Sequence, residues 1–139
     1  MAAMENILHA VDAALPASLE RLFAFLRIPS ISAQPAHAGD CRKAAEWARD
    51  TLAGMGFEAR LSETKGHPGV IAQNFSAGPN APHVLFYGHY DVQPADPLEL
   101  WNSDPFDPQL IEGPRGPRIV ARGAVDDKGQ VVSFLEAVR

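Results

Sequence analysis

At 139 residues the chain has the length of one ordinary domain, and its 46% hydrophobic and 21% charged residues exclude a disordered or fibrous protein. Seventeen acidic against twelve basic side chains leave a formal net charge of −5; with no Lys/Arg cluster and no apolar run long enough to cross a bilayer, neither nucleic acid nor membrane is expected as a partner. Cys41 is the only cysteine, which excludes an intramolecular disulfide, and Met1 to Asn6 lacks the basic region and long apolar run of a secretory signal; both favour the cytoplasm.

Apolar residues at Ile7, Leu8, Val11 and Leu15, then at Leu19, Leu22, Phe23 and Leu26, have helical spacing on either side of Pro16, which should break or restart the helix. The second helix should begin at about Pro16 and stop before Pro29. Pro29 to Pro35 reads as a loop. Asp40 is the expected N-cap of the next helix, whose stripe of Cys41, Ala44, Ala45, Ala48, Leu52 and Met55 runs until Gly56 closes it. Cys41 reads as a small buried apolar residue, since nothing nearby in sequence lowers its pKa, and Trp47 is placed against a neighbouring element.

Phe57, Ala59 and Leu61 alternate with Glu58, Arg60 and Ser62, the pattern of a half-exposed strand, and a second strand is expected over Val70 to Phe75 after a turn at Lys65 to Gly69. Val84 to Tyr87 reads as a short strand buried on both faces, of the kind found inside a parallel sheet flanked by helices. Four prolines between Pro94 and Pro108 make the following stretch a stiffened loop, pinned to the body by Trp101 and Phe106. Gln109 to Ile111 and Arg118 to Val120 pair as a hairpin across a Gly/Pro-rich turn. A last helix carries Val131, Phe134, Leu135 and Val138 on one face and stops at Arg139 with no capping glycine, which reads as a cut. The order of elements predicts an α/β fold with a mixed sheet flanked by helices.

Two segments place metal-ligand types at strand ends: His89 with Asp91, and Asp126 with Asp127. Ligands bind beyond the carboxyl ends of strands in open α/β sheets, and residues two apart in extended chain project to one side. A hydrolytic two-metal site needs nitrogen and carboxylate donors and a carboxylate that bridges ions roughly 3.5–4 Å apart. Asp126 and Asp127 both have that type. Without a backbone distortion only one of them can face the same crevice as His89. From spacing alone the alternatives stay open: His89 as a strand-end histidine bonded to backbone, and the aspartates as carboxylates favoured at a helix N-terminus by capping and the dipole.

Taken together, Gly88-His89-Tyr90-Asp91-Val92-Gln93-Pro94, Trp101-Asn102-Ser103-Asp104-Pro105-Phe106 and Arg122-Gly123-Ala124-Val125-Asp126-Asp127-Lys128-Gly129 resemble the M20 family of metallopeptidases. That family includes aminoacylases, acetylornithine deacetylases, succinyl-diaminopimelate desuccinylases and carnosinase-type dipeptidases. Arg27-Ile28-Pro29-Ser30-Ile31-Ser32 is similar to its N-terminal signature, and Val92-Gln93-Pro94 with the Trp101 segment looks most like the dipeptidase branch. The resemblance implies a zinc-exopeptidase-type catalytic domain, incomplete here, of which residues 1–139 form the N-terminal part. It implies two zinc ions per complete active site, with cobalt or manganese as substitutes, a dipeptide or N-acyl amino acid substrate, and a homodimer when full length.

Carried over residue by residue, the resemblance makes His89 a ligand of one zinc, Asp126 the carboxylate bridging both, and Asp91 a catalytic-site residue that orients the site without binding metal. Asp127 matches a variable position and is not assigned as a ligand. The family's cis peptide after the bridging aspartate falls between Asp126 and Asp127, and Lys128 and Gly129 read as structural. Where the family has Tyr-Gly-Arg-Gly, Val120-Ala121-Arg122-Gly123 stands here, and a local packing difference is expected. The family's catalytic Glu-Glu pair, its other ligands and its dimerisation domain all fall later than position 139, and residues 1–139 contain no Glu-Glu pair to supply the general base. The expectation is a metal-dependent hydrolase of a peptide or amide bond when full length, with this stretch inactive alone. The alternatives are an inactive truncated product with at most weak metal binding, an N-acyl amino acid deacylase or desuccinylase, and a metal-free binding domain.

Overall fold

Pro16 does not divide the first helix. In the computed structural model, which describes residues 2–139, α1 runs continuously over Ala2–Leu26 with Pro16 inside it. A proline there lacks the amide that would bond the Asp12 carbonyl. Pro16 is exposed, so water can satisfy that carbonyl and the helix continues. The two halves of α1 differ in burial. Met4, Ile7, Leu8, Val11 and Leu15 are 49–60% exposed, whereas Phe25 and Leu26 are fully buried. The helix ends just ahead of Pro29, as the restriction on residues before proline dictates.

Helix α2 spans Ala38–Gly54. It begins three residues earlier than an Asp40 N-cap would place it, because a 3-10 turn at Pro35–His37 carries the chain into the helix. Asp40 lies in the first turn, where its carboxylate pairs with His37 Nδ1 at 2.9 Å. The chain leaves the helix through Gly56 at φ 85°. Cys41, Ala44, Ala45 and Ala48 are buried, and burial pushes the Cys41 thiol pKa up, which keeps it an inert apolar residue. Helix α2 packs against the hairpin of β1 (Glu58–Ser62) and β2 (Gly69–Gln73), paired antiparallel from Glu58 opposite Gln73 to Ser62 opposite Gly69.

The α/β class holds, but the strands are not gathered into one mixed sheet. They form two separate two-stranded antiparallel hairpins, β1 with β2, and β3 (Gln109–Ile111) with β4 (Arg118–Val120). The expected buried strand over Val84 to Tyr87 has no ladder partner among the described residues, and Val84, Leu85 and Tyr87 are 86–94% exposed. An apolar run supplies the propensity for a strand, but only a neighbouring strand makes it one. The nearest approach to pairing is a single parallel bridge between Ile31 and Val92. In the proline-rich loop, Trp101 Nε1 donates to the Ala95 carbonyl at 2.8 Å and its ring lies 5.5 Å from the Arg122 guanidinium, which pins the loop as expected.

Helix α3 (Lys128–Ala137) packs against α1. Phe25, Ala44 and Val132, one from each helix, form the buried centre, with Leu22, Ile28, Trp47, Tyr90 and Val131 around it. Phe25 stacks on Trp47 with centroids 4.2 Å apart. Lys128 is fully buried, and its Nζ donates to the carbonyls of Phe25 (3.0 Å) and Ile28 (2.7 Å). Burial pushes this ammonium down to about 7, against the nearby charges of Cys41, Asp91 and Asp40. No helix is long and apolar enough to cross a membrane among the described residues.

At the far end of α3, Arg21 donates to both oxygens of Glu136, and Ser18 Oγ donates to Oε2 at 2.8 Å. The Arg21 hydrogen bond is the main cause that holds Glu136 down to about 2, below its unfolded value. A depressed carboxylate contributes stability that is complete above the unfolded pKa and is lost as pH falls through the folded one. Glu136→Gln should therefore lower the Tm by about 3–5 °C at pH 6 and leave almost no difference near pH 2. Thermal unfolding of the two proteins across that range checks it, and a constant difference would refute the assignment.

Candidate metal centre

The N-terminal signature acts as a strap beneath the site. Ser30 is fully buried; its Oγ donates to the Tyr90 carbonyl at 2.7 Å, and its own carbonyl accepts from the Val92 amide at 2.9 Å. Two residues on, Ser32 Oγ donates to Asp91 Oδ2. Tyr90 points the other way, its hydroxyl donating to the Pro68 carbonyl at 2.6 Å, and burial pushes its pKa up to about 12. Residues 90 to 92 are thus held from both sides, and His89 is presented just ahead of them.

The His89 ring lies between two carboxylates. Nδ1 faces the Asp91 carbonyl at 3.1 Å and Asp91 Oδ1 at 3.2 Å, while Nε2 stands 3.0 Å from Asp126 Oδ1. Both ring nitrogens thus face oxygen acceptors, Nδ1 those of Asp91 and Nε2 that of Asp126, an arrangement in which Nδ1 can donate to Asp91 while Nε2 is directed at Asp126. Burial works against a charged ring, but the Asp91 carbonyl, the Asp126 carboxylate and the charges of Asp91 and Asp127 outweigh it and raise the His89 pKa above its ordinary value.

Both aspartates reach the His89 segment. Asp126 meets the ring, and Asp127 Oδ2 accepts from the His89 backbone amide at 3.0 Å. The peptide bond between them is cis, where the resemblance put it. The loop that carries them closes tightly on itself: a Cβ on Gly129 would stand 2.1 Å from the Ala124 carbonyl oxygen, so glycine is required for that approach.

His89, Asp91 and Asp126, named from sequence, therefore come together. Sequence reasoning missed Ser32 as the partner of Asp91 and Asp127 as the partner of the His89 amide. Their signal was adjacency to the motifs, since Ser32 closes the N-terminal signature and Asp127 follows Asp126. Among the described residues no group of three or more His, Cys, Asp or Glu side chains is arranged to hold an ion. The donors that do converge, an imidazole nitrogen and a carboxylate oxygen, are types that zinc takes.

The family model of peptidase family M20/M25/M40 matches residues 85–139, which include the whole of this constellation. The cysteinylglycine-S-conjugate dipeptidase of Corynebacterium striatum is 34% identical over 105 residues, covering 76% of this chain and 22% of that protein. Human carnosine dipeptidase 1 superposes with a TM-score of 0.81 at 29% identity, over 96% of this chain and 30% of its own. Residues 85–139 thus carry the signature of the M20 peptidase family. The succinyl-diaminopimelate desuccinylase of Xanthomonas euvesicatoria is 42% identical over 113 residues, covering 79% of this chain and 26% of its length. The chain thus spans about a quarter of the length of these relatives.

The Asp126 loop depends on Gly129 in a way that can be measured. Gly129→Ala forces the loop or α3 to shift, and is expected to destabilise the protein by about 1–3 kcal/mol and to separate Asp126 from His89. Denaturant unfolding checks the first effect. Wild-type stability in the variant would show that the close approach is not a constraint.

Proposed function

We propose that residues 1–139 form the N-terminal part of the catalytic domain of a zinc-dependent M20 dipeptidase. In this reading His89 and Asp126 are metal ligands and Asp91 orients His89. The observation that carries it is the 3.0 Å convergence of His89 Nε2 and Asp126 Oδ1, with Asp91 on the opposite ring nitrogen. Two donors that each stand about 2.0–2.1 Å from one ion are separated by roughly this distance. Asp91 supplies the outer hydrogen bond that fixes the tautomer and makes Nε2 the more basic donor. The Asp126 side chain is 80% exposed, so its second oxygen is open to another ion, as a bridging carboxylate requires.

Bound zinc supplies a lowered water pKa and a polarised scissile carbonyl. This chain's residues hold and orient; the general base and the remaining ligands come, in this reading, from outside residues 1–139. A dipeptide substrate is favoured by the likeness to the cysteinylglycine-S-conjugate dipeptidase and to carnosine dipeptidase 1. A second reading, hydrolysis of an N-acyl amino acid, is supported by the 42% identity to a desuccinylase. Homodimerisation rests on the family resemblance, and a cytoplasmic location on the single cysteine, Cys41, which is free and buried.

In the intact protein, His89→Ala and Asp126→Ala are each expected to remove zinc from one or both positions and to lower activity by at least about 100-fold. Metal analysis with a dipeptidase assay checks this, and unchanged zinc and activity refute the ligand assignment. The same assay run on dipeptides and on N-succinyl and N-acetyl amino acids separates the two substrate readings. Residues 1–139 expressed alone are expected to turn over none of them, and measurable hydrolysis by that piece would overturn its dependence on an external general base.

A further inference from the structure

Asp127 stands at the N-cap position of α3, yet its carboxylate makes no capping hydrogen bond to that helix. It reaches out of the helix instead and accepts from the His89 backbone amide at 3.0 Å. The helix forgoes the usual use of an N-cap carboxylate, and the acceptor is spent on the segment that presents the candidate ligand. A carboxylate accepting from a backbone N–H is among the stronger hydrogen bonds available to that amide.

Two further contacts lie on the same face of α3, four and seven residues along. Gly88 passes so close to Val131 that a Cβ there would stand 2.7 Å from Val131 Cγ2 and 3.1 Å from Asp127 Oδ2. The Phe86 ring stacks on Phe134 with centroids 3.8 Å apart and planes 3° from parallel. Phe86, Gly88 and His89 are thus fastened to Phe134, Val131 and Asp127 in order. Residues 84 to 88 have no strand ladder to fix their height or register among the described residues, so these three contacts hold the chain up to His89, while the strap holds residues 90 to 92 after it. Asp127 is the one among them that touches His89 itself.

We propose that Asp127 is a positioning residue for the metal centre: its carboxylate holds the His89 amide and so fixes the imidazole in reach of Asp126. The inference rests on the reading of His89 as a metal ligand and adds to it a role for a residue that the family resemblance left unassigned. In this role Asp127 acts through His89, whose amide its Oδ2 accepts from.

The test measures zinc affinity of the intact protein, by competition with a chromophoric chelator, for Asp127→Ala, Asp127→Asn and Asp127→Ser. Asparagine keeps an oxygen acceptor at the same reach. Serine keeps the ability to cap α3 but is too short to reach the His89 amide. Asp127→Ala and Asp127→Ser are expected to weaken zinc binding by about 10–100-fold, and Asp127→Asn by no more than about threefold. Undiminished affinity in Asp127→Ala overturns the inference, and so does serine restoring affinity as well as asparagine, because the residue would then be a helix cap. If Asp127→Ala does not fold, the comparison of asparagine with serine decides. His89→Ala separates the two levels: zinc binding that survives it sinks the metal reading and the inference together, whereas loss in His89→Ala beside full affinity in Asp127→Ala overturns the positioning role alone.

Discussion

One buried ammonium joins the two halves of the candidate site. Lys128 is fully enclosed and donates to the carbonyls of Phe25 and Ile28, about a hundred residues earlier in the chain. The C-terminal end of a helix collects unsatisfied carbonyls and the negative end of its dipole, so a cation is favoured there. The desolvation that lowers this lysine's pKa is offset in part by those two hydrogen bonds and by the Phe25 ring, 4.8 Å from Nζ. Because Lys128 is the first residue of α3, fixing its head against α1 also fixes Asp126 and Asp127 immediately before it.

The other half of the site is fixed from the same end of α1. The strap from Pro29 to Ser32 follows α1 directly, and through Ser30 and Ser32 it holds Tyr90, Asp91 and Val92. His89 and Asp126 come from segments 37 residues apart in sequence, yet both are tied to one reference point where α1 ends. Their 3.0 Å separation is therefore a property of the fold and not of either loop alone. Three-helix packing around Phe25, Ala44 and Val132 supplies the rigidity behind it.

The site was more legible in the sequence than the sheet was. His89, Asp91 and Asp126 stood in motifs whose chemistry constrains residue type, and a hydrogen-bond constellation needs only a few such residues. The β3–β4 hairpin was equally plain, because a Gly/Pro-rich turn between two short apolar runs specifies itself locally. Val84 to Tyr87 was not, because apolar character promises burial but ladder partners decide it, and none flanks this run among the described residues. Pro16 and Asp40 misled for a different reason. A proline breaks a helix only where the freed carbonyl cannot find another partner, and an aspartate caps only if the helix has not already begun upstream. The role of Asp127 was invisible because a carboxylate at a helix start has an ordinary use, and only geometry reveals that it serves another segment.

Helix α1 is a single rod in shape and two units in energy. Its last turns bury Phe25 and Leu26 completely, whereas its first four turns carry Met4, Ile7, Leu8, Val11 and Leu15 in water. Pro16 stands near the boundary and removes one rung of the hydrogen-bond ladder there. A helical stretch of a dozen residues without tertiary packing is only marginally stable in water. The first half therefore opens and closes with little free energy while the second half opens only with the core. The proline that failed to end the helix serves as a seam between them, and fraying that begins at the N-terminus stops short of the strap that holds the site.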